Sequence, residues 1–490
     1  MSLAPPVGIA GAGAMGAGIA QVAALAGHEV RLYDVRAGAA PAAVAAARAT
    51  LETLAAKGKI AVETARAAGA RLQATATLAQ FADCGLVIEA IVEQLEPKRE
   101  LLREIEAVVG AECLLATNTS SLPLAALAAA LRAPRRLAGM HFFNPAPRME
   151  LVEIVAGVAT DPGVARALEQ LARAWGKTPV RVRATPGFIV NRVARPFYGE
   201  GLRLIAEQAA APATLDALLR EAGGFRMGPC ELTDLIGQDV NFAVTRSVWE
   251  SFFHDPRFAP SLAQQELVEA GWLGRKTGRG FYDYSEGVAA PAAAAEPLAK
   301  TPGRIAITGD DALSEALAQR LERGGVHVVR RPHLPAESVL HVSDGRTAAE
   351  LEAAGERPQP TVVVDLALDY ASATRIAVAA SPRCHAAAWA EAVGALQAAG
   401  LAVTRLPDLP GLAVLRTVAM IVNEAADAVH YGVASRADVD LAMRLGVNYP
   451  LGPFAWAERI GAARVRAALA ALAAFYGEDR YRSSPGLRRL

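Results

Sequence analysis

Across the first 185 residues, short apolar runs alternate with longer stretches whose apolar positions recur at helical spacing. The runs within "VGIAGAG", "HEVRLYD", "CGLVIEAIVEQ", "CLLATNTSSL", "RLAGMHFF" and "ELVEIV" read as strands. Strands alternating with helices predict a mostly parallel sheet, whose ligands gather outside the carboxyl ends of the strands. "NPAPRM" lies between the last two runs and is rich in turn signals, so the chain is expected to reverse there and lay "ELVEIV" alongside "RLAGMHFF". From residue 186 to 284 the pattern changes to long amphipathic helices with short Gly/Pro breaks, which predicts an all-α domain. "SEGVAAPAAAAEPLAKTPG", residues 285–303, reads as a small-residue linker.

The remainder repeats the plan. "PGFIVNRVARPFYGEGLRLIAE" and "FRMGPCELTDLIG" are echoed by "PGLAVLRTVAMIVNEAADAVHYG" and "NYPLGPFAWAERIG", an internal duplication of the helical part. Ahead of the second copy, "GRIAITGDDALSEALAQRLERGGVHVVRR" mimics a first strand, turn and helix. The expected layout is 1–185, 186–284, a linker at 285–303, 304–408 and a second helical domain at 409–490.

The first strand of the chain opens into Gly11, Gly13 and Gly16, spaced G-x-G-x-x-G, and then into a helical pattern and a second strand ending at Asp34. The first glycine permits the tight turn, the second lets backbone approach a pyrophosphate, and the third allows helix and strand to pack closely. Unpaired N–H groups at the helix start then face the phosphates. Asp34 lies roughly 20 residues beyond the glycines, where an acid accepts hydrogen bonds from a ribose 2′-hydroxyl and repels a 2′-phosphate. This order of parts predicts a Rossmann-type domain over 1–185 that takes NAD rather than NADP, with Gly11, Ala12, Gly13, Ala14, Met15, Gly16 and Asp34 at the cofactor. Arg36 is the one nearby residue that argues for NADP. Residues 304–408 lack the glycine triplet and any acid matching Asp34, so they read as a degenerate Rossmann-like copy.

Composition narrows the function classes. The chain is 52% hydrophobic, enough for sizeable cores, and its 50 basic and 50 acidic side chains cancel. No global field points to nucleic acid or anionic lipid. Cys84, Cys113, Cys230 and Cys384 are scattered, with no metal-like spacing, so no metal site is expected and the cysteines read as core residues in a reducing compartment. The N-terminal stretch has no charged n-region or cleavage site, and the Ala-rich stretches are broken by Arg, Glu and Gly. A cytoplasmic protein without a membrane partner is the expectation.

Glu93, Ser120 and His141 all follow strand-like runs, so they are expected at one edge of the sheet. When a carbon bearing a hydroxyl gives up a hydride, its oxygen must also lose a proton. Neutral imidazole accepts that proton near working pH, and a carboxylate behind it fixes the tautomer and stabilises the imidazolium. Glu153 can reach His141 if the chain reverses at "NPAPRM". The alternative is a core histidine packed beside Phe142 and Phe143, with Glu153 merely ending a strand.

"GAGAMGAGIAQVAALAGHEVRLYD", "EAIVEQLEPKRELL", "TNTSSL", "HFFNPAPRMELVEIV" and "TPGFIVNRVARPFYGEGLRLIAE" together resemble the successive signatures of the L-3-hydroxyacyl-CoA dehydrogenases, in order over roughly residues 7 to 285. The resemblance implies NAD-dependent, reversible oxidation of (S)-3-hydroxyacyl-CoA to 3-oxoacyl-CoA. It implies His141 as general base and Glu153 as its carboxylate partner. It further implies Ser120 and Asn191 on the substrate oxygen or the reacting geometry. Glu93, Lys98, Ser120, Asn144 and Lys276 are implied near the cofactor, and Thr50 and Lys57 on the coenzyme A moiety. From the residues alone, Asn191 reads equally as a helix cap, and Lys57, Lys98 and Lys276 as solvated charges. The duplicated layout also resembles the 3-hydroxyadipyl-CoA-type dehydrogenases of phenylacetate catabolism, while short-chain β-oxidation stays open. Arg192, Arg195, Arg203 and Arg226 are candidates for reading a distal carboxylate. Two other readings stay open: a dehydrogenase of a free 3-hydroxy acid or sugar acid, and a non-catalytic NAD-binding structural protein.

The second half has Leu415 where the first has Asn191, and "AVAASPRCHAAAWAEAV" where an H-F-x-N-P stretch would stand. His385 reads as structural, and Asp310 and Asp311 would repel an anion. The short family members are implied to pair through the helical domain. The fused copy is therefore expected to supply that surface within one chain, as a pseudo-dimer with one active site, leaving further association between copies open.

Overall fold

The computed structural model describes residues 5–330, 338–355 and 359–489. The chain divides into two compact units, Met1–Arg192 with Tyr431–Val447, and Val193–His430 with Asn448–Leu490.

The first unit is built on an eight-stranded sheet: β1 (Val7–Ala10), β2 (Val30–Tyr33), β3 (Leu72–Ala74), β4 (Leu86–Glu89), β5 (Leu114–Thr117), β6 (Leu137–Phe142), β7 (Leu151–Ala156) and β8 (Thr178–Arg183). Their order is β3-β2-β1-β4-β5-β6-β7-β8. All neighbours run parallel except β6 and β7, which are antiparallel as the turn signals in "NPAPRM" predict. β1, β4 and β6 are buried along their whole length, because helices cover both faces and leave no strand position for water. The strand order reverses between β1 and β4. At such a switch point the loops diverge to opposite faces and open a crevice beyond the carboxyl ends.

The outer edge of this sheet is closed by a segment from far along the chain. The Arg183 N–H donates to Val433 O (2.8 Å) and Arg183 Nη2 to Tyr431 O (2.6 Å), and the helix Arg436–Val447 packs against β7 and β8. Gly446 permits this approach, since a Cβ there would lie 2.9 Å from both Leu151 and Val190 side chains.

The second unit holds a six-stranded sheet and helices from both copies of the duplication. Its strands are β9 (Arg304–Thr308), β10 (His327–Val329), β11 (Val339–Val342), β12 (Thr361–Val364), β13 (Arg375–Ala380) and β14 (Ala402–Arg405), in the order β10-β9-β11-β12-β13-β14. A single antiparallel pair, β12 with β13, echoes β6 with β7. Residues 285–303 are tied down rather than loose: the Glu296 N–H donates to Val403 O (2.7 Å), and Ala294 O accepts from Arg375 and Thr404.

The helix Val414–His430 of the second copy packs on Arg195–Ala206 of the first. Between them Glu200, fully buried, accepts from Arg416 Nε (2.7 Å) and Arg480 Nε (3.0 Å). Glu424, at the repeat position of Glu200, accepts from Arg257 Nη1 (3.0 Å), and Arg257 sits in its own copy where Arg480 sits in the other.

Candidate active site

The glycine turn has the shape a pyrophosphate requires. Gly11 has φ +114°, and a Cβ on it would lie 2.4 Å from Ala90 O. At Gly16 a Cβ would lie 1.8 Å from Gly11 O, so only glycine lets the helix Ala14–Leu25 start this close to β1. Gly13, at the helix N-terminus, faces open space, and no described side chain caps that end. Its amide dipoles are thus left for an anion. Asp34, just past β2, accepts from the Ala12 N–H (2.8 Å), which fixes the turn to the second strand. Burial raises the Asp34 carboxyl, but hydrogen bonds from the Arg36 guanidinium and from the Ala12 and Arg36 amides outweigh it and hold the group below the usual carboxylate range. Arg36, the residue that argued for NADP, is therefore committed to Asp34 (3.1 Å) and otherwise exposed.

Beyond the carboxyl ends of β4, β5 and β6 lies a cavity of about 350 Å³ lined by Met15, Glu93, Lys98, Ser120, His141, Asn144 and Asn191 among others. Seven residues singled out from sequence thus converge on one crevice. His141 sits near the end of β6, directly opposite Glu153 on β7, and its Nδ1 stands 2.6 Å from Glu153 Oε2. Both side chains are buried. The second Glu153 oxygen accepts from the Ile189 and Val190 N–H groups (3.0 Å each), just ahead of Asn191. The imidazole is wedged between Phe143 and Phe188, with ring centroids at 4.6 and 5.7 Å. Its Nδ1 is taken up by the carboxylate, so Nε2 is the atom left for chemistry.

Glu93 Oε1 gathers the Thr119 hydroxyl (2.7 Å) and the Ser120 (2.8 Å) and Ser121 (3.0 Å) N–H groups. Burial raises the Glu93 carboxyl, but Lys98 and these donors hold it below its ordinary value. Lys98 is not the solvated charge its sequence context suggested: it is 1% exposed, with Nζ 2.7 Å from Glu89 Oε1. A lysine is buried only when paired, and Glu89, at the end of β4, supplies the partner. Glu89 was not singled out from sequence. An acid ending an otherwise apolar strand in "GLVIEA" was the available signal.

Thr50 and Lys57 are exposed, on and just after the helix Ala39–Ala56, and do not line the cavity. Lys276 belongs to the second unit, where it pairs with Asp239 (2.5 Å). Arg203 is engaged by Glu207 (2.9 Å) and Glu478 (2.7 Å). His385 caps the helix Ala386–Ala398, accepting from the Ala388 N–H (3.2 Å). At the second sheet Asp311 caps the helix Ala312–Arg323 itself, accepting from the Leu313 (2.9 Å) and Ser314 (3.2 Å) N–H groups where an anion would otherwise sit.

Residues 6–185 match the 3-hydroxyacyl-CoA dehydrogenase NAD binding domain, 187–284 and 411–490 both match the 3-hydroxyacyl-CoA dehydrogenase C-terminal domain, and 340–410 match the 3-hydroxybutyryl-CoA dehydrogenase reduced Rossmann-fold domain. The chain is 45% identical over 484 residues to the 3-hydroxyadipyl-CoA dehydrogenase of Escherichia coli (strain K12), covering 99% of this chain and 96% of that one. The chain belongs to the 3-hydroxyacyl-CoA dehydrogenase family. It is an NAD-dependent oxidoreductase that interconverts 3-hydroxyacyl-CoA and 3-oxoacyl-CoA. A crystal structure of 3-hydroxybutyryl-CoA dehydrogenase from Escherichia coli K12 substr. MG1655 superposes on this dehydrogenase with a TM-score of 0.89 at 42% identity, covering 100% of this chain and 98% of that one. A shorter relative, the probable 3-hydroxybutyryl-CoA dehydrogenase of Bacillus subtilis (strain 168), is 40% identical over 278 residues, 57% of this chain and 96% of its own. Among the described residues of the dehydrogenase, no helix is long and apolar enough to cross a membrane, and no cluster of three or more His, Cys, Asp or Glu is placed to hold a metal ion.

Proposed function

We propose that His141 is the general base of this dehydrogenase and that its preferred substrate is an (S)-3-hydroxyacyl-CoA ending in a second carboxylate, of the 3-hydroxyadipyl-CoA kind. The observation that carries the first part is the buried 2.6 Å His141–Glu153 pair, set in the same cavity as Ser120 and Asn191. Gly11 to Gly16 and Asp34 are shaped to hold the dinucleotide, with Glu93, Lys98 and Asn144 lining the cavity beyond. NAD, when bound, supplies the hydride acceptor. As the carbinol carbon loses its hydride, His141 Nε2 takes the hydroxyl proton. Glu153 stabilises the imidazolium through Nδ1, a charge that would otherwise form in an aromatic pocket. Ser120 and Asn191 hold the substrate oxygen over Nε2. In the reverse direction the same nitrogen returns the proton. Lys57, exposed at the end of the helix that carries Thr50, supplies a positive charge for the phosphates of coenzyme A. The second part rests on the relative named for 3-hydroxyadipyl-CoA, whose likeness runs the length of the chain. A panel of 3-oxoacyl-CoA chains ranked by kcat/KM, followed by NADH absorbance, should place the chain ending in a carboxylate first. Equal efficiency across the panel removes the distal carboxylate, and saturable turnover of free 3-oxo acids removes coenzyme A.

The reciprocal bonds Glu200–Arg480 and Glu424–Arg257 support an intramolecular pseudo-dimer, since an isologous contact exchanges equivalent residues in both directions. Asp311 at the second helix start supports a single cofactor site per chain, and a titration reaching two NADH per chain would contradict it. The four free cysteines suit a reducing compartment, the cytoplasm.

A further inference from the structure

Behind Ser120 a buried ion pair, Lys98 with Glu89, is joined to the partly exposed Glu93 in a charged network that the chemistry above does not use. Glu89 is fully buried and both of its oxygens are engaged. Oε1 accepts from Lys98 Nζ and from the Ile91 N–H, both at 2.7 Å, and Oε2 accepts from the Thr117 hydroxyl at 2.7 Å. Lys98 has two donors left, and they reach Ile91 O (3.3 Å) and Glu93 Oε2 (3.2 Å). Through its other oxygen Glu93 then collects the Thr119 hydroxyl, the Ser120 and Ser121 N–H groups and both serine hydroxyls. The chain of contacts thus runs from the end of β4 to the turn after β5 without passing through the strand ladder.

The Glu89 carboxylate and the Lys98 ammonium are expensive to remove from water, and the cost is offset only if each keeps its partners, of which the partly exposed Glu93 is one. Such a network ties the turn to one geometry. Of the five contacts on Glu93 Oε1, the Ser120 hydroxyl is the longest at 3.3 Å, whereas the Ser120 amide is held at 2.8 Å. The backbone is pinned, and the hydroxyl is the donor most readily turned to another oxygen.

We propose that Glu93, held by the Lys98–Glu89 pair, is a positioning residue that acts on the reaction through Ser120, by fixing the Thr119–Ser121 turn from which the Ser120 hydroxyl meets the substrate oxygen. The inference rests on the reading of Ser120 given above. It assigns Glu93 a task distinct from touching the cofactor, and it gives buried Lys98 the task of holding Glu93 in place.

A double-mutant cycle on the full chain tests it, with kcat measured on acetoacetyl-CoA and NADH binding measured by fluorescence titration. Glu93→Gln should lower kcat roughly 10- to 100-fold, as expected for a misplaced reacting partner, and leave NADH affinity unchanged. In a Ser120→Ala background the same change should have almost no further effect, because residues acting as one unit are not additive. Additive losses overturn the inference while leaving Ser120 its role. An NADH affinity that falls in step with kcat also overturns it, by making Glu93 a cofactor contact. Ser120→Ala with unchanged kcat removes the role of Ser120 and the inference together. Glu93→Asp keeps the charge facing Lys98 but shortens the reach to the turn. It should lose kcat as Gln does, and full activity in it would equally refute the positioning role.

Discussion

Glu153 and His141 are cross-strand partners in the antiparallel pair β6–β7, their side chains joined at 2.6 Å, and Glu153 also caps the backbone of Ile189 and Val190. Directly opposed residues in such a pair point to the same face, so the strand register itself brings acid and base together. The duplicated half keeps half of this arrangement. Asp365, after β12, accepts from the Ala413 (3.0 Å) and Val414 (2.8 Å) N–H groups at the matching turn. A carboxylate at this turn is thus structural in both halves, and in the first half it also holds an imidazole.

Replacing His141 by Gln removes the proton acceptor at Nε2. Turnover of acetoacetyl-CoA should fall roughly 10²–10⁴-fold, the usual contribution of general base catalysis, while NADH binding persists. Glu153→Gln keeps an oxygen for the two amides but loses the charge behind the imidazole. Turnover should drop and its pH profile should move. An unaltered rate and profile would rule out the pair.

Asp34→Ala should weaken NAD by about 1.5–3 kcal/mol, the range for hydrogen bonds to a charged group. It also frees Arg36, already at the surface, to meet a 2′-phosphate. The ratio of kcat/KM for NADPH over NADH should therefore rise. An unchanged ratio would separate Asp34 from ribose recognition.

Glu200→Ala should cost about 3–5 kcal/mol in urea unfolding, because it strands the buried guanidinium of Arg416 without a principal partner. Combining Glu200→Leu with Arg416→Leu should recover part of that loss. If both variants are equally unstable, the ion pair is not what matters at this contact.

Asp216 makes a pH prediction. Burial pushes its carboxyl up to about 6, against hydrogen bonds from Tyr282 and from the Cys230 and Glu231 N–H groups that act to lower it. The folded protein therefore binds this proton more tightly than the unfolded chain does. Its contribution to stability is full below the unfolded value near 4 and is lost as pH rises through about 6. Relative to Asp216→Asn, which cannot titrate, the wild-type protein should lose on the order of 3 kcal/mol between pH 4 and 6. Parallel stability curves for the two proteins would show that Asp216 does not titrate in that window.

Much of the first unit is legible from local pattern. Strand runs, the G-x-G-x-x-G turn and the acid ending β2 are short-range features, set by backbone sterics and by the pleat of a buried strand. The spacing of the glycines is local, while Ala90 O packed against Gly11 and Asp34 on the Ala12 N–H hold the turn from farther along the chain. The reversal at "NPAPRM" is equally local, and once it is made the pairing of His141 with Glu153 follows from register.

Other features depend on which elements share a space. Lys98 looks like any helix-surface lysine until Glu89 and Glu93, brought from the end of one strand and the loop after it, enclose its ammonium. Residues 285–303 have the composition of a loose linker, yet the Val403 carbonyl, the Thr404 hydroxyl and the Arg375 guanidinium hold them at Ala294 and Glu296.

By itself the amino-acid order determined the dinucleotide turn, the alternation that makes a parallel sheet and the histidine at a strand end, each written in neighbours a few residues apart, and the repeated helical part, written as a second copy of the same pattern. Only the tertiary structure decided which charges lose their water and that Tyr431–Val447 closes the edge of the first sheet. Burial and ion pairing are set by which side chains meet in the folded chain, whether as near in sequence as Lys98 and Glu89 or as far apart as Glu200 and Arg480, and no local period encodes them.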